Sequence, residues 1–293
     1  MTVRKLIDNI SSKVMYVLTI LTSLIVFFMV VGLYIKSNPI LETRSIWELI
    51  TSSSWHPLRG EFGFYPFLMG TFWVTFLAML LSIPVCLLCS IYLAEYAPKK
   101  LAEIIKPLID LLAGIPSVVY GIFGMLAVVP LIRNVAPLFG ASTTGYSIAA
   151  GGIVLAIMVF PIMISVSVEV ICSVPNEARE TSLALGATQW QTVKHVVVRK
   201  AFPGIVAAII LGFSRAFGET MAVLMVVGNV VQVPQSIFDE AYPLTALIAN
   251  NYGEMLSVPL YDSALLLGAL ILLFVVFLFS IAARVILMRG EAI

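Results

Sequence analysis

Six long apolar runs, separated by short charged stretches, set the pattern of this 293-residue chain. A helix crosses ~30 Å of hydrocarbon with about 20 residues, so each run is long enough to span a bilayer. The first, Val14 to Ile35, lies between Lys13 and Lys36, and the second extends from about Pro66 to Ala94 with only Pro84 inside it. The third, about Ile109 to Ile132, holds Gly114, Pro116 and Pro130, which predicts a broken or tilted helix. The fourth runs from about Ser147 to Cys172, the fifth from Gly204 to Val231 and the sixth from Ala264 to Met288. The pattern predicts an all-α polytopic membrane protein with six transmembrane helices.

The first run follows a basic N-terminus, as a secretory signal would. Its 22 uncharged residues are too many for a signal core, and no small-residue cleavage site follows, so a retained helix is expected. Lysine and arginine in the short loops set the orientation. With the N-terminus inside, the inner segments hold Arg4, Lys5, Lys13, Lys99, Lys100, Lys106, Arg179, Lys194, Arg199, Lys200, Arg284 and Arg289. The outer loops hold Lys36, Arg44, Arg59 and Arg133, while Asn229 to Ser263 has no basic residue and carries Asp239, Glu240, Glu254 and Asp262. Both termini are therefore expected in the cytoplasm.

Composition narrows the class further. Hydrophobic residues make up 60% of the chain and charged ones 11%, with mean hydropathy +1.05. Soluble domains run near ~45–50% apolar and ~25% charged, so an ordinary soluble domain is excluded. A formal charge of +1 offers no basic field for nucleic acid. The three cysteines, Cys86, Cys89 and Cys172, all lie in apolar sequence and imply no disulfide framework.

Two loops are longer than connection requires. The first outer loop, Lys36 to Tyr65, contains Trp47, Trp55, His56 and Pro57, which suit either a partner-contacting segment or a loop lying on the membrane surface. On the inner side, Ser173 to Pro203 reads as helix, turn and helix. Pro175 suits an early helical position, and Glu177 and Glu180 place negative charge near the helix start, where the dipole favours it. Gly186 supplies a stop, Thr188 and Gln191 form a capping box, and Trp190, Val193 and Val197 recur at helical spacing.

The string Glu180-Thr-Ser-Leu-Ala-Leu-Gly186 resembles the E-A-A signature of ABC-transporter permease subunits, with Thr181 and Ser182 in place of the two alanines. The family's I-x-L-P ending is represented by Val196 to Arg199, with arginine where proline is usual, and proline returns at Pro203. Three further strings are similar to the phosphate-specific branch: Ala113-Gly-Ile-Pro-Ser-Val-Val-Tyr-Gly-Ile-Phe-Gly124, Leu183-Ala-Leu-Gly-Ala-Thr188, and Ser214-Arg-Ala-Phe-Gly-Glu-Thr-Met-Ala-Val-Leu-Met-Val-Val-Gly-Asn229. Met221-Ala-Val-Leu-Met225 after Gly-Glu-Thr is similar to the PstC branch rather than the PstA branch. The resemblance implies a MetI-like permease in the plasma (inner) membrane of a bacterium. It implies a PstA-like sister permease, two PstB-like ATPase subunits and a phosphate-binding protein on the outer face. It also implies that Glu177, Glu180, Ala184, Gly186 and Ala187 form the coupling surface for the ATPase. The expected organisation is an N-terminal helix and outer loop over 1–66, a permease domain over 67–288 with its coupling segment at 173–203, and a cytoplasmic tail at 289–293.

The chemistry points away from catalysis. The chain has no glycine-rich loop ending in Gly-Lys-Ser or Gly-Lys-Thr, so any ATP hydrolysis belongs to another subunit. The only two histidines, His56 and His195, fall on opposite sides of the membrane, and Cys86 with Cys89 lacks a second ligand pair, so neither a catalytic group nor a metal or cofactor site is expected. Asp110, one turn after Lys106, and Glu169 suit helix-end pairing. Gly114, Pro116 and Ser117 suit either a plain kink or backbone donors exposed to an anion.

Arg215 and Glu219 are different, because an ionisable side chain deep in a bilayer costs ~3 kcal/mol or more. Four residues apart in the fifth run, they are expected on one helical face as an internal ion pair, with Ala208, Gly212 and Ala216 marking a close-packing face. Two readings stand. The pair is a buried bridge that orients the helix, or Arg215 offers its donors to phosphate in the translocation path while Glu219 holds the guanidinium. Alternatives for the whole chain are a permease for sulfate or molybdate, and a gradient-driven carrier using Glu219 or Asp110 as a proton relay.

Overall fold

The computed structural model describes residues 2–254 and 258–290, with side chains from residue 10 onward apart from those at 283, 287, 289 and 290. The side chains of Arg4, Lys5 and Arg289 and residues 291–293 of the expected tail lie outside this description. Among the described residues, six helical stretches are long and apolar enough to cross a membrane, matching the six runs in number and order.

The core of the fold is a pair of parallel spans, α3 (Tyr65–Ile91) and α7 (Ile148–Cys172). Small polar residues one helical turn apart on α3 meet successive carbonyls of α7. Ser82 Oγ lies 3.4 Å from the Ala156 oxygen, Cys86 Sγ 3.9 Å from that of Phe160, and Ser90 Oγ 3.4 Å from that of Ile164. The constant offset shows that the helices run in the same direction, and the small side chains let their backbones approach. Cys86 is thus a packing residue, buried in the core, whereas Cys89 is exposed.

Helix α10 (Val198–Phe217) runs antiparallel to α7 through glycine contacts. A Cβ on Gly204 would fall 2.3 Å from Val170, and one on Gly212 would fall 2.7 Å from Met163. Ala208 and Ala216 are buried on this face, so the expected small-residue stripe packs against α7. Helix α13 (Tyr261–Gly290) packs on α10 and on the long first helix, α1 (Thr2–Thr43). That helix runs past the expected end at Ile35 because Ile40, near its outer end, is fully buried in an apolar cluster.

This cluster also takes in the first long loop. Following α2 (Ile46–Thr51), strands β1 (Trp55–His56) and β2 (Glu61–Phe62) form a minimal hairpin. It sets Trp55 against Phe62, Phe64, Phe67 and Tyr261, with ring centroids 4.9 to 6.2 Å apart. The loop is a folded cap over the N-terminal ends of α3 and α13, from which Trp47 and Leu58 stand clear, 73% and 86% exposed.

Two predicted spans need correction. The third does not begin at Ile109. Helix α4 (Lys99–Ala113) ends at Gly114, and a new helix, α5 (Ser117–Phe123), begins behind Pro116. Pro116 has extended backbone and cannot donate to the preceding turn, so the interruption is a full break rather than a kink. The span proper runs Ser117–Phe139 through a π turn, Gly124–Val128, and α6 (Val129–Val135). The fifth span begins earlier and ends earlier than expected, covering Gln189–Phe217. Pro203 lies inside α10, and the chain leaves the helix at Gly218.

Candidate functional site

The inner helix-turn-helix forms as the capping signals require. Pro175 precedes α8 (Asn176–Ala184), and Gly186 takes the left-handed backbone at φ +84°. Gly186 N–H donates to the Leu183 carbonyl at 2.9 Å and Ala187 N–H to that of Ser182 at 3.3 Å, a paired closure that satisfies the last carbonyls of α8. Both halves of the Thr188 and Gln191 capping box are present at the start of α9 (Gln189–Thr192). The second helix does not stop at Thr192. It continues through a π turn, Val193–Val197, directly into α10, so the turn at Gly186 is attached to a span without a flexible joint.

Of the expected coupling residues, Glu177, Glu180, Ala184 and Gly186 are exposed, and Ala187 is half-buried. Beside them lies apolar surface that the sequence reading passed over. Leu183 is 48% exposed, Leu185 84% and Trp190 54%. A groove of about 560 Å³ opens next to them, lined by Glu177, Thr181, Leu185, Val196 and Lys200 among others. These leucines stay uncovered in the most polar part of the chain. The signal in the sequence is the apolar Leu183 and Leu185 flanking a helix stop, where solvent-facing residues are otherwise polar.

A second feature was not foreseen at all. Arg179 on α8 pairs with Glu95, which sits in a π turn, Tyr92–Tyr96, at the inner end of α3. Its Nη2 lies 2.7 Å from Glu95 Oε1, and the two side chains are only 17% and 9% exposed. Arg179 also donates to the carbonyls of Ile171, at 2.9 Å, and Val174. Gln189 Nε2 donates to the Glu95 carbonyl at 3.1 Å.

The expected bridge between Arg215 and Glu219 does not form. The only ion pairs among the described residues are Arg44 with Glu48 and Arg179 with Glu95. Gly218 ends α10 between them, so the two no longer share a helical face. Glu219 instead accepts the Ala222 N–H at 3.3 Å, at the start of α11 (Met221–Leu224), and its carbonyl accepts the Thr245 hydroxyl at 3.0 Å. Asp110 and Glu169 also form no ion pair among the described residues.

Arg215 is exposed. By helical rise it stands about 22 Å beyond Lys200, in the last turn of α10. The irregular backbone that follows is packed inside the protein: Ala222, Val223, Val226 and Val227 are buried, and the Val226 carbonyl accepts the Ser147 N–H at 3.2 Å. Non-helical backbone at membrane depth survives only where protein or a polar cavity surrounds it. At the break, Arg215 and Gly218 are exposed and Glu219 is half-buried.

Residues 86–289 match the family described as the binding-protein-dependent transport system inner membrane component. The chain is 41% identical over 246 residues, 83% of its own length and 78% of the relative's, to the probable ABC transporter permease protein YqgH of Bacillus subtilis. It is 35% identical over 253 residues, covering 81% and 78%, to the phosphate transport system permease protein PstC of Xylella fastidiosa. It is 31% identical over 294 residues, covering 94% and 92%, to the probable phosphate transport system permease protein PstC of Methanocaldococcus jannaschii. Among solved structures, inward-facing MetNI methionine ABC transporter shares the fold at a TM-score of 0.56, with 20% identity, over 75% of this chain and 93% of that one. With six spans and an exposed helix-turn-helix between the fourth and fifth, this chain belongs to the family of binding-protein-dependent transport system inner membrane components.

Proposed function

We propose that this chain is the transmembrane permease subunit of an ATP-driven importer of inorganic phosphate, multi-pass in a bacterial inner membrane with both termini inside. It performs no chemistry itself. A PstA-like sister permease completes the path, two PstB-like ATPase subunits drive it, and a phosphate-binding protein delivers the anion on the outer face. The observation that carries this reading is the exposed turn at Leu185 and Gly186, apolar and rigidly continuous with a span, a device that a gradient-driven carrier does not need. Phosphate as the cargo is favoured by the relatives named PstC.

Within this reading Glu177, Glu180, Ala184, Gly186 and Ala187 receive the ATPase, and Arg215 with Glu219 lines the path. An exposed arginine costs ~3 kcal/mol or more against lipid, so its edge of the bundle faces water or a polar partner rather than acyl chains. With Glu219 withdrawn to cap α11, the guanidinium keeps its donors for a passing oxyanion. Such contact must be weak enough to release. Uptake of labelled phosphate by cells depending on this transporter tests the assignment. Arg215→Ala and Glu219→Gln abolish uptake while the ATPase still co-purifies, and Gly186→Asp loses the ATPase itself. Normal uptake by the first two variants removes both residues from the path, and uptake that persists without any ATPase contradicts the importer reading.

A further inference from the structure

The ATPase docking surface raises a mechanical question that the Glu95 and Arg179 contact answers. Resting on the coupling role proposed for α8, we infer that this pair is the joint through which movement of α8 is transmitted to the inner ends of α3 and α7. The guanidinium meets the Glu95 carboxylate in three contacts: Nη2 at 2.7 Å and Nε at 3.1 Å from Oε1, and Nε at 3.3 Å from Oε2. It also donates to the Ile171 and Val174 carbonyls, at and just past the end of α7. One side chain of α8 therefore holds two spans at once. Gln189, bonded to the Glu95 carbonyl, adds the start of the fifth span to the same joint.

The joint rests on a dry layer. Ile91 of α3, Ile171 and Val174 at the end of α7, and Val193 and Val197 below α10 form one apolar cluster directly beneath it. A push on α8 cannot slip past α3 without separating a carboxylate that is 9% exposed from its counter-ion, which is unfavourable even beside the pocket of about 320 Å³ that both side chains line. The helices on either side carry widened π turns here, Tyr92–Tyr96 and Val193–Val197. Such turns recur at functional positions. The geometry is that of a clamp set between two π turns. Glu95 and Arg179 are positioning residues, touching neither phosphate nor nucleotide.

The test is the ratio of phosphate transported to ATP hydrolysed by the complete complex in liposomes, with ATPase, sister permease and phosphate-binding protein present. In Arg179→Ala the ATPase stays bound and hydrolysis persists, while phosphate moved per ATP falls on the order of 5- to 100-fold, the range of ordinary coupling energies between sites. Glu95→Gln, which keeps the shape and one acceptor, falls by less and serves as the readout if the alanine variant fails to assemble. An unchanged ratio in Glu95→Gln overturns the inference. So does a proportional loss of uptake, hydrolysis and ATPase binding, which a purely structural weld would give. Absence of ATP-dependent uptake in the wild-type complex overturns the proposed function and this inference with it, whereas failure confined to the variants concerns the joint alone.

Discussion

Gly186 separates backbone strain from surface contact at the coupling turn. Its φ of +84° lies in the left-handed region, and a Cβ built on it meets no atom of this chain within 4 Å. A substitution there is opposed by conformation and not by space. Alanine held in that region costs about 1–2 kcal/mol. If the ATPase docks on the turn as folded, binding must supply that energy, and a factor of ten per ~1.4 kcal/mol makes the loss roughly 5- to 30-fold. Asparagine tolerates the same backbone and also ends helices in this way, so Gly186→Asn is expected to lose less than about threefold. Titrating purified ATPase against the detergent-solubilised permease pair measures all three affinities. Gly186→Leu adds a second reading, because its strain is close to that of alanine and any further loss reports the facing surface of the ATPase. Wild-type affinity in Gly186→Ala, or equal losses for alanine and asparagine, would refute the reasoning.

Other expectations follow from the packing and the caps. Trp55→Ala removes a half-buried ring whose centroid is 4.9 Å from that of Phe67, and should destabilise the outer cap by about 3 kcal/mol, visible as a lower melting temperature in detergent. Trp47→Ala, at a side chain 73% exposed, should stay within ~0.5 kcal/mol of the parent in the same melt. Gly212→Leu drives a side chain into Met163, only 2.7 Å from its Cβ, and is expected to cost ~1–3 kcal/mol or more, whereas Gly32→Leu on open helix surface leaves the melt unchanged. Thr188→Ala breaks the capping box and should cost about 1 kcal/mol locally, read as roughly fivefold faster amide exchange at Gln191.

The legible parts of this protein were those written in local pattern. Apolar length gave the spans, and Pro175, Gly186, Thr188 and Gln191 marked the ends of the inner helices with their own capping chemistry. Where transfer energy and backbone course diverge, the pattern misled. Gly204 to Val231 is continuously apolar around Arg215 and Glu219, yet the backbone leaves the helix at Gly218, because hydropathy records which residues avoid water and not whether they stay helical. The expected ion pair fell with that assumption. Helix α4 was legible in principle, since Lys99, Glu103, Lys106 and Asp110 repeat at helical spacing opposite Ile104, Leu108 and Leu111, but its apolar face merged with the span that follows. Glu95 and Arg179 were beyond reach: 84 residues apart, they meet because α3 and α7 run parallel and end together, a fact of packing that no local periodicity encodes.

The central claim is that ATP, through a separate ATPase, moves phosphate inward along a path this chain helps to form. Liposomes containing this chain, the sister permease and the ATPase, loaded with ATP and given labelled phosphate on the binding-protein side, test it most directly. The account predicts that phosphate accumulates only when ATP, the ATPase and the phosphate-binding protein are all present, and that excess sulfate or molybdate leaves the uptake unaffected. Accumulation driven by a proton gradient without ATP, or uptake of sulfate or molybdate in preference to phosphate, would contradict it.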